Sequence, residues 1–400
     1  RMPVSKRVSF LMTRSSWIRR MFEEGEKMRA DGKGPVYDFS IGNPMLEPPG
    51  IFSQALRDLA AGPPPGLHRY MPNVGHASTR KAVAEYVTGE YRVPVTADHV
   101  ILTVGAAGGC NVALKALLEP GEEVILLLPF FCEYEFYIDN HGGVMVLVPT
   151  RKDFDLDLDA IERAITPKTR VIIVNTPNNP SGAVYSYESL NRLADLLRRK
   201  SAERGSPIYL LSDEAYRKII YDLDHCPSVL EVYDDSIMVT SHSKDLGLPG
   251  ERVGWLVIHP KLTDGAAIYN AMAFLNRTLG YINCPSIMQK AIEPCLRASV
   301  DVGWYRRKRD LLLRNLKSFG YDVVSPGGSF YMFPGAPGGD DLAFCRAMMK
   351  WRVLVVPGNG FGTPGHFRLS FCVPDEVCEG ALPAFEAAMK EYRQNGRFRD

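Results

Sequence analysis

Four short polar blocks carry the residue types that do chemistry. Ser241-His242-Ser243-Lys244 sets two hydroxyls beside an amine, and Arg252 follows eight residues after the lysine. Ser212-Asp213-Glu214-Ala215-Tyr216 supplies carboxyls and a phenol, and Asn175-Thr176-Pro177-Asn178-Asn179-Pro180-Ser181-Gly182 supplies amides. Gly105-Ala106-Ala107-Gly108-Gly109 offers nearly bare backbone, over which N–H groups at a helix start can approach a phosphate. As a set they provide groups that carry protons, an arginine and hydroxyls that hold an anion, and a cradle for phosphate. Each block also has a plainer use. The glycines suit tight packing, the Asn/Pro run suits a turn, Asp213 can cap a following helix, and a lysine at a strand end is commonly solvated surface.

The elements that must position these blocks alternate. Helical spacing over 15–31 (Trp17, Ile18, Met21, Phe22, Met28) leads to a short strand at 36–41. Dense Gly/Pro punctuation from Gly42 through Gly66 reads as a long connecting segment. From 81 the order is helix 81–91, strand 100–104, helix 107–118, strands 123–128 and 144–148, helix 158–165 and strand 170–175. Helix 187–200 and strands 207–212, 236–240 and 252–258 follow. Runs such as Val171-Ile172-Ile173-Val174 do not alternate, which suits parallel strands covered on both faces. The fold expected is α/β, a large doubly wound and mostly parallel sheet. A helical stretch over 262–318 then gives way to short strands at 321–324, 329–333, 353–356 and 366–371, with helices at 341–350 and 376–392, a smaller α+β unit. The expected organisation is an N-terminal arm and part of the small domain at 1–45, a large domain at 46–297 and a small domain at 298–400. All four polar blocks fall at the carboxyl ends of strands in one sheet, where open α/β sheets bind ligands.

Composition narrows the partners. The 400 residues exceed the roughly 250–300 that one hydrophobic core serves. Forty-seven basic against 46 acidic residues, with no run of one sign, leave no electrostatic footprint for nucleic acid. The longest apolar stretches are strand-sized, below the ~20 residues of a membrane helix. No signal-peptide core stands near the start, and the eight cysteines have no metal-ligand spacing, so the expected setting is cytoplasmic with free thiols and no metal. His76, His99, His141, His225, His259 and His366 show no partner pattern and read as structural.

With these motifs in order, from Tyr37-Asp38-Phe39-Ser40-Ile41-Gly42-Asn43-Pro44 to Phe367-Arg368-Leu369-Ser370-Phe371, nearly the whole chain resembles the fold type I pyridoxal-phosphate enzymes, within them the class I and II aminotransferases. The resemblance implies pyridoxal 5'-phosphate as cofactor, with Lys244 at the position of the family's cofactor-bearing lysine and proton carrier. It implies Asp213 against the pyridinium nitrogen, Asn179 and Tyr216 on the ring's phenolic oxygen, and Phe131 stacked on the ring, with Phe130 in the core. The amides of Ala106 and Ala107, with Ser241, Ser243 and Arg252, would take the phosphate. Tyr70, in His68-Arg69-Tyr70-Met71-Pro72, matches a tyrosine that reaches the neighbouring subunit's phosphate, implying a homodimer. Arg368 matches the reader of the substrate α-carboxylate, helped by Gly42 and Asn179.

The implied activity is transfer of the amino group of an L-amino acid to a 2-oxo acid, a ping-pong reaction through pyridoxamine phosphate. The alternative is a lyase on the same fold, by β-elimination or decarboxylation. Two departures stand out. Ala107 occupies a position where aspartate-preferring bacterial relatives often carry a lysine, and Gly108-Gly109-Cys110 differs from the commoner Glu-Ala-Leu, which puts aspartate in doubt as the substrate. A cofactor-binding effector module would need a DNA-binding segment ahead of motifs that already begin by residue 37, and a nicotinamide oxidoreductase would lack its GxGxxG and leave Lys244 and Asp213 unused.

Overall fold

Continuous runs of β-branched and leucine residues make the central layer of the molecule. The computed structural model describes residues 3–13 and 17–398. Its strands are β1 (Tyr37–Asp38), β2 (Val100–Val104), β3 (Glu123–Leu128), β4 (Val144–Pro149), β5 (Thr169–Asn175), β6 (Tyr209–Asp213), β7 (Ser236–Ser241), β8 (Val253–Ile258), β9 (Tyr331–Met332), β10 (Val353–Leu354), β11 (Val356–Pro357) and β12 (Phe367–Ser370). Seven of them form one sheet in the order β2-β8-β7-β6-β5-β3-β4. All neighbours are parallel except β8, which runs against both β7 and β2. Val171, Ile172 and Val174 of β5 are fully buried, as a strand covered on both faces requires. Each such side chain contributes about 1.5–3 kcal/mol by leaving water.

Register brings the polar blocks together. Asn175 lies opposite Asp213, Ser241 opposite Gly254, and Thr103 opposite that same glycine, so the carboxyl ends of β2, β5, β6 and β7 open at one edge beside the start of β8. The helix Gly105–Leu117 starts directly from β2, so its free N–H groups face that edge.

The C-terminal third builds a second core. β12 lies between β11 and β9 in an antiparallel sheet, and β1 pairs in parallel with β10. Helices Val302–Phe319, Asp341–Lys350 and Asp375–Asn395 close over Phe344, Phe367 and Phe385, with the Phe367 and Phe385 rings stacked at 6.2 Å. Phe39, beside β1, is fully buried in the same cluster.

Several boundaries differ from those read in the sequence. The segment after Gly42 is not all connection, because Gly50–Ala61 is a helix whose Phe52 is buried in the core beside β2. Pro49 sits at its N-cap, where a missing N–H costs nothing, so the prolines there start a helix. No strand forms at 321–324. The N–H groups of Gly327 and Gly328 both donate to the Gly182 carbonyl, turning the chain away before it meets a ladder partner. The stretch 262–318 is three α-helices, Gly265–Thr278, Ser286–Ile292 and Val302–Phe319. The 353–356 strand is split between β10 and β11, and the 36–41 strand shrinks to β1. The N-terminal helix runs Trp17–Ala30, while Ser15 and Ser16 of the expected 15–31 helix lie outside the described residues. Three helices, Lys6–Thr13, Glu133–Asn140 and the four-residue His242–Asp245, have no counterpart in the sequence reading. All eight cysteines carry free thiols. Among the described residues no helix is long and apolar enough to cross a membrane.

Candidate active site

A cavity of about 370 Å³ opens at the carboxyl edge of the large sheet. Gly42, Ala106, Ala107, Phe131, Asn179, Asp213, Tyr216, Ser241, Ser243, Lys244, Arg252 and Arg368 all line it. Tyr70 is the one singled-out residue that does not, and it stands 92% exposed on the surface. Phe130 is buried in the core, while the adjacent Phe131 lines the cavity.

Lys244 comes from the short helix His242–Asp245 that follows β7, and Ser241 caps it by accepting from the Ser243 N–H. Its amine donates to the Gly42 carbonyl at 2.9 Å and lies 5.9 Å from the Tyr216 ring and 5.5 Å from that of Phe330. Burial, with Arg368 and Arg252 pushing the same way, lowers its pKa to about 8. Beneath it the Trp255 indole N–H donates to His242 Nε2 at 3.1 Å. That bond leaves Nδ1 of the imidazole to carry the proton toward Asp245, 3.2 Å away. Burial alone would raise the Asp245 carboxyl, but His242 and Lys218 outweigh it and hold it well below the usual carboxylate range.

Asp213 is buried, and burial raises its carboxyl. The Tyr134 hydroxyl, donating to Oδ2 at 2.7 Å, and the Ala215 N–H oppose that rise. No helix follows Asp213, so the cap alternative has nothing to cap. The Tyr216 phenol, raised by burial, lies 3.0 Å from the Tyr331 hydroxyl.

Arg368, on β12 and only 1% exposed, donates from Nη1 to Asn179 Oδ1 at 3.0 Å and from Nη2 to the Ser40 carbonyl at 2.6 Å. Its Nε is buried with no partner among the described residues. A buried guanidinium whose Nε–H finds no partner is costly unless an anion arrives. Its Cζ lies over the Tyr331 ring, 4.5 Å from the ring centre.

The glycine run divides in two. Gly105 holds φ +64°, a left-handed backbone that favours glycine, and passes close beside the Arg252 guanidinium, whose Nη2 a Cβ would meet at 2.9 Å. Gly109 is instead a packing glycine, since its Cβ would meet the Val239 side chain at 2.7 Å. At the opposite wall Gly42 is required because a Cβ would overlap the Tyr331 hydroxyl.

Sequence reasoning missed Tyr134, Tyr137, Tyr331 and Ile18 and gave Asn175 no role beyond its block, and all five also line the cavity. Tyr134 stands three residues after Phe131 on the unrecognised helix Glu133–Asn140, and that spacing was the available signal. Tyr331 was hidden in the aromatic run Ser329-Phe330-Tyr331-Met332-Phe333, which reads as core. Outside the cavity His141 meets Asn111 at 2.9 Å and His76 meets Ser286 at 2.8 Å, which are structural contacts.

The family model for aminotransferases of class I and II matches residues 35–385. The chain is 34% identical to the aspartate/prephenate aminotransferase of Thermus thermophilus, over 86% of this chain and 89% of the relative. It is 30% identical to aromatic-amino-acid aminotransferase 2 of Thermococcus litoralis, over 95% and 97%. The solved structure of an amino transferase from Eubacterium rectale is 40% identical, with TM-score 0.95 and coverage of 98% and 100%.

Proposed function

The chain belongs to the class I and II aminotransferases, and on that premise we propose that it moves the amino group of an L-amino acid to a 2-oxo acid in a ping-pong sequence. The observation that carries this reading is the meeting, in one cavity, of a lysine amine of lowered pKa, a buried carboxylate and an arginine with an unpartnered Nε.

The members of this family are pyridoxal-phosphate enzymes. The donor set fits that group. Gly105 leaves room for backbone to pass Arg252, the Ala106 and Ala107 amides stand free at a helix start, and Ser241 and Ser243 add hydroxyls, together a cradle for a phosphate dianion. When bound, the cofactor supplies an aldehyde that takes up amines and a ring that draws electrons from the substrate α-carbon. Asp213 would keep the ring nitrogen protonated, and Tyr134, by holding the carboxylate, would fix its direction. Asn179 and Tyr216 would hydrogen-bond the phenolic oxygen, and Phe131 would cover a ring face. Lys244 Nζ would take the proton from the substrate α-carbon as a base and deliver it as an acid to the carbon that had borne the cofactor's aldehyde, which a pKa near neutrality allows. Tyr70 would complete the phosphate site of a second copy in a homodimer, a role supported by its exposed position here.

Screening the holoenzyme against the twenty common amino acids should find substrates that shift the cofactor absorbance to the pyridoxamine form with no release of ammonia or carbon dioxide. Release of either gas in step with turnover would replace transamination by a lyase reaction.

Arg368 is proposed to grip the α-carboxylate common to all these substrates. Lysine can supply charge but not the planar fork. Arg368→Lys should cost about 2–4 kcal/mol, roughly 30- to 1,000-fold in kcat/KM. Steady-state kinetics should give a similar loss for every amino acid. A change in preference among side chains with a small common loss would make Arg368 a side-chain reader instead.

A further inference from the structure

The site cavity does not end at its polar residues. Ile18 and Ile41 line it and also line a second recess of about 590 Å³, within the roughly 300–1,000 Å³ typical of small-molecule sites. The recess is walled by Leu11 and Met12 of helix Lys6–Thr13, Phe22 of helix Trp17–Ala30 and Phe136 of helix Glu133–Asn140. Met12 and Phe22 stand 64% and 41% exposed, apolar surface that an apolar group entering from the site would cover.

The charges around it are unfavourable to a second carboxylate. Of the cations lining the site cavity, Lys244 is bound to the Gly42 carbonyl, Arg252 to that of Pro249, and Arg368 to Asn179 and Ser40. Ala107 presents only a methyl group there. In the recess Arg19 is ion-paired with Glu23 at 3.1 Å. Glu133 has no ion pair among the described residues, and burial raises its carboxyl. A dicarboxylic substrate would therefore lose water to apolar walls and meet a carboxylate.

Resting on the transamination reading, we infer that the preferred amino acid carries a large apolar side chain, aliphatic or aromatic, which lodges in this recess against Ile18, Ile41 and Phe136. Selectivity then comes from the N-terminal helices and helix Glu133–Asn140, not from the residues that serve the cofactor.

The test measures kcat/KM of the holoenzyme for phenylalanine, leucine, alanine, aspartate and glutamate. Phenylalanine or leucine should exceed both dicarboxylic acids by about 100-fold or more, since a single methylene in an apolar pocket already discriminates about 10- to 200-fold. Phe136→Ala should lower the phenylalanine-to-alanine ratio about tenfold or more, and Phe136→Leu should recover most of it. Glu133→Gln should raise aspartate relative to phenylalanine. The inference is overturned, with transamination intact, if aspartate is the better substrate of the unmodified enzyme. It is overturned equally if Phe136→Ala leaves the phenylalanine-to-alanine ratio unmoved. Absence of the pyridoxamine form with every amino acid would remove the functional reading and this inference together.

Discussion

Lys244→Ala should lower transamination by at least about 10⁴-fold, since it removes both the amine that holds the cofactor aldehyde and the group that carries the α-proton. The phosphate cradle of Ser241, Arg252 and the helix start is untouched, so the variant should still take up pyridoxal phosphate, more weakly. Borohydride reduction of the unmodified holoenzyme, followed by peptide mass mapping, should place the cofactor on Lys244. An adduct on Lys218 or Lys261 would sink the assignment. The amine has a further signature. With its pKa lowered to about 8 by burial, the cofactor-free chain holds mostly protonated amine below that pH and mostly neutral, nucleophilic amine above it. Capture of pyridoxal phosphate should thus accelerate as pH rises through about 8 and then level off. A rate that keeps climbing tenfold per unit toward pH 10 would mark an ordinary solvated lysine.

Asp213→Asn should cost about 3–5 kcal/mol of transition-state stabilisation, the scale of removing one partner from a buried charge pair. Size and shape are kept, and the Tyr134 hydroxyl still finds an amide oxygen to donate to, so the fold and cofactor binding should survive. The charge opposite the ring nitrogen is lost. Exchange of the substrate α-hydrogen with deuterated water isolates the proton-transfer step from later ones and should slow by roughly 150- to 5,000-fold. Near-normal exchange would reduce Asp213 to holding its turn through the Ala215 N–H.

The parts of this molecule legible in its sequence were those where one physical rule acts alone. A strand covered on both faces has to be continuously apolar, and Val171-Ile172-Ile173-Val174 is so because every one of those side chains is at most 2% exposed. Polar residues directly after such strands then have one place to go. The illegible parts depend on contacts distant in sequence. β1 and β10 have two residues each and exist because they pair with one another, which no local pattern encodes. Val323 is buried like a strand residue, but its segment is diverted by Gly327 and Gly328 onto Gly182. Tyr134 rides an eight-residue helix, too short for periodicity to announce it. In the Pro48-Pro49-Gly50 cluster the rule that prolines break helices applies, but at a helix start they delimit the helix from outside.

The pairing of Tyr37 with Val353 also bears on how the chain is made. The large sheet runs from Val100 to Ile258 and can assemble while later residues are still being added. β1 cannot, because its partner emerges roughly 300 residues afterward, a delay of about 15–60 s at ordinary elongation rates of about 5–20 residues per second. Through that interval Phe39 has no core to enter, Ser40 has no arginine to accept from, and the wall of the cavity at Gly42 is undocked. The nascent chain therefore carries a finished scaffold before it carries a working site, and the last sheet strand to leave the ribosome is the one bearing Arg368.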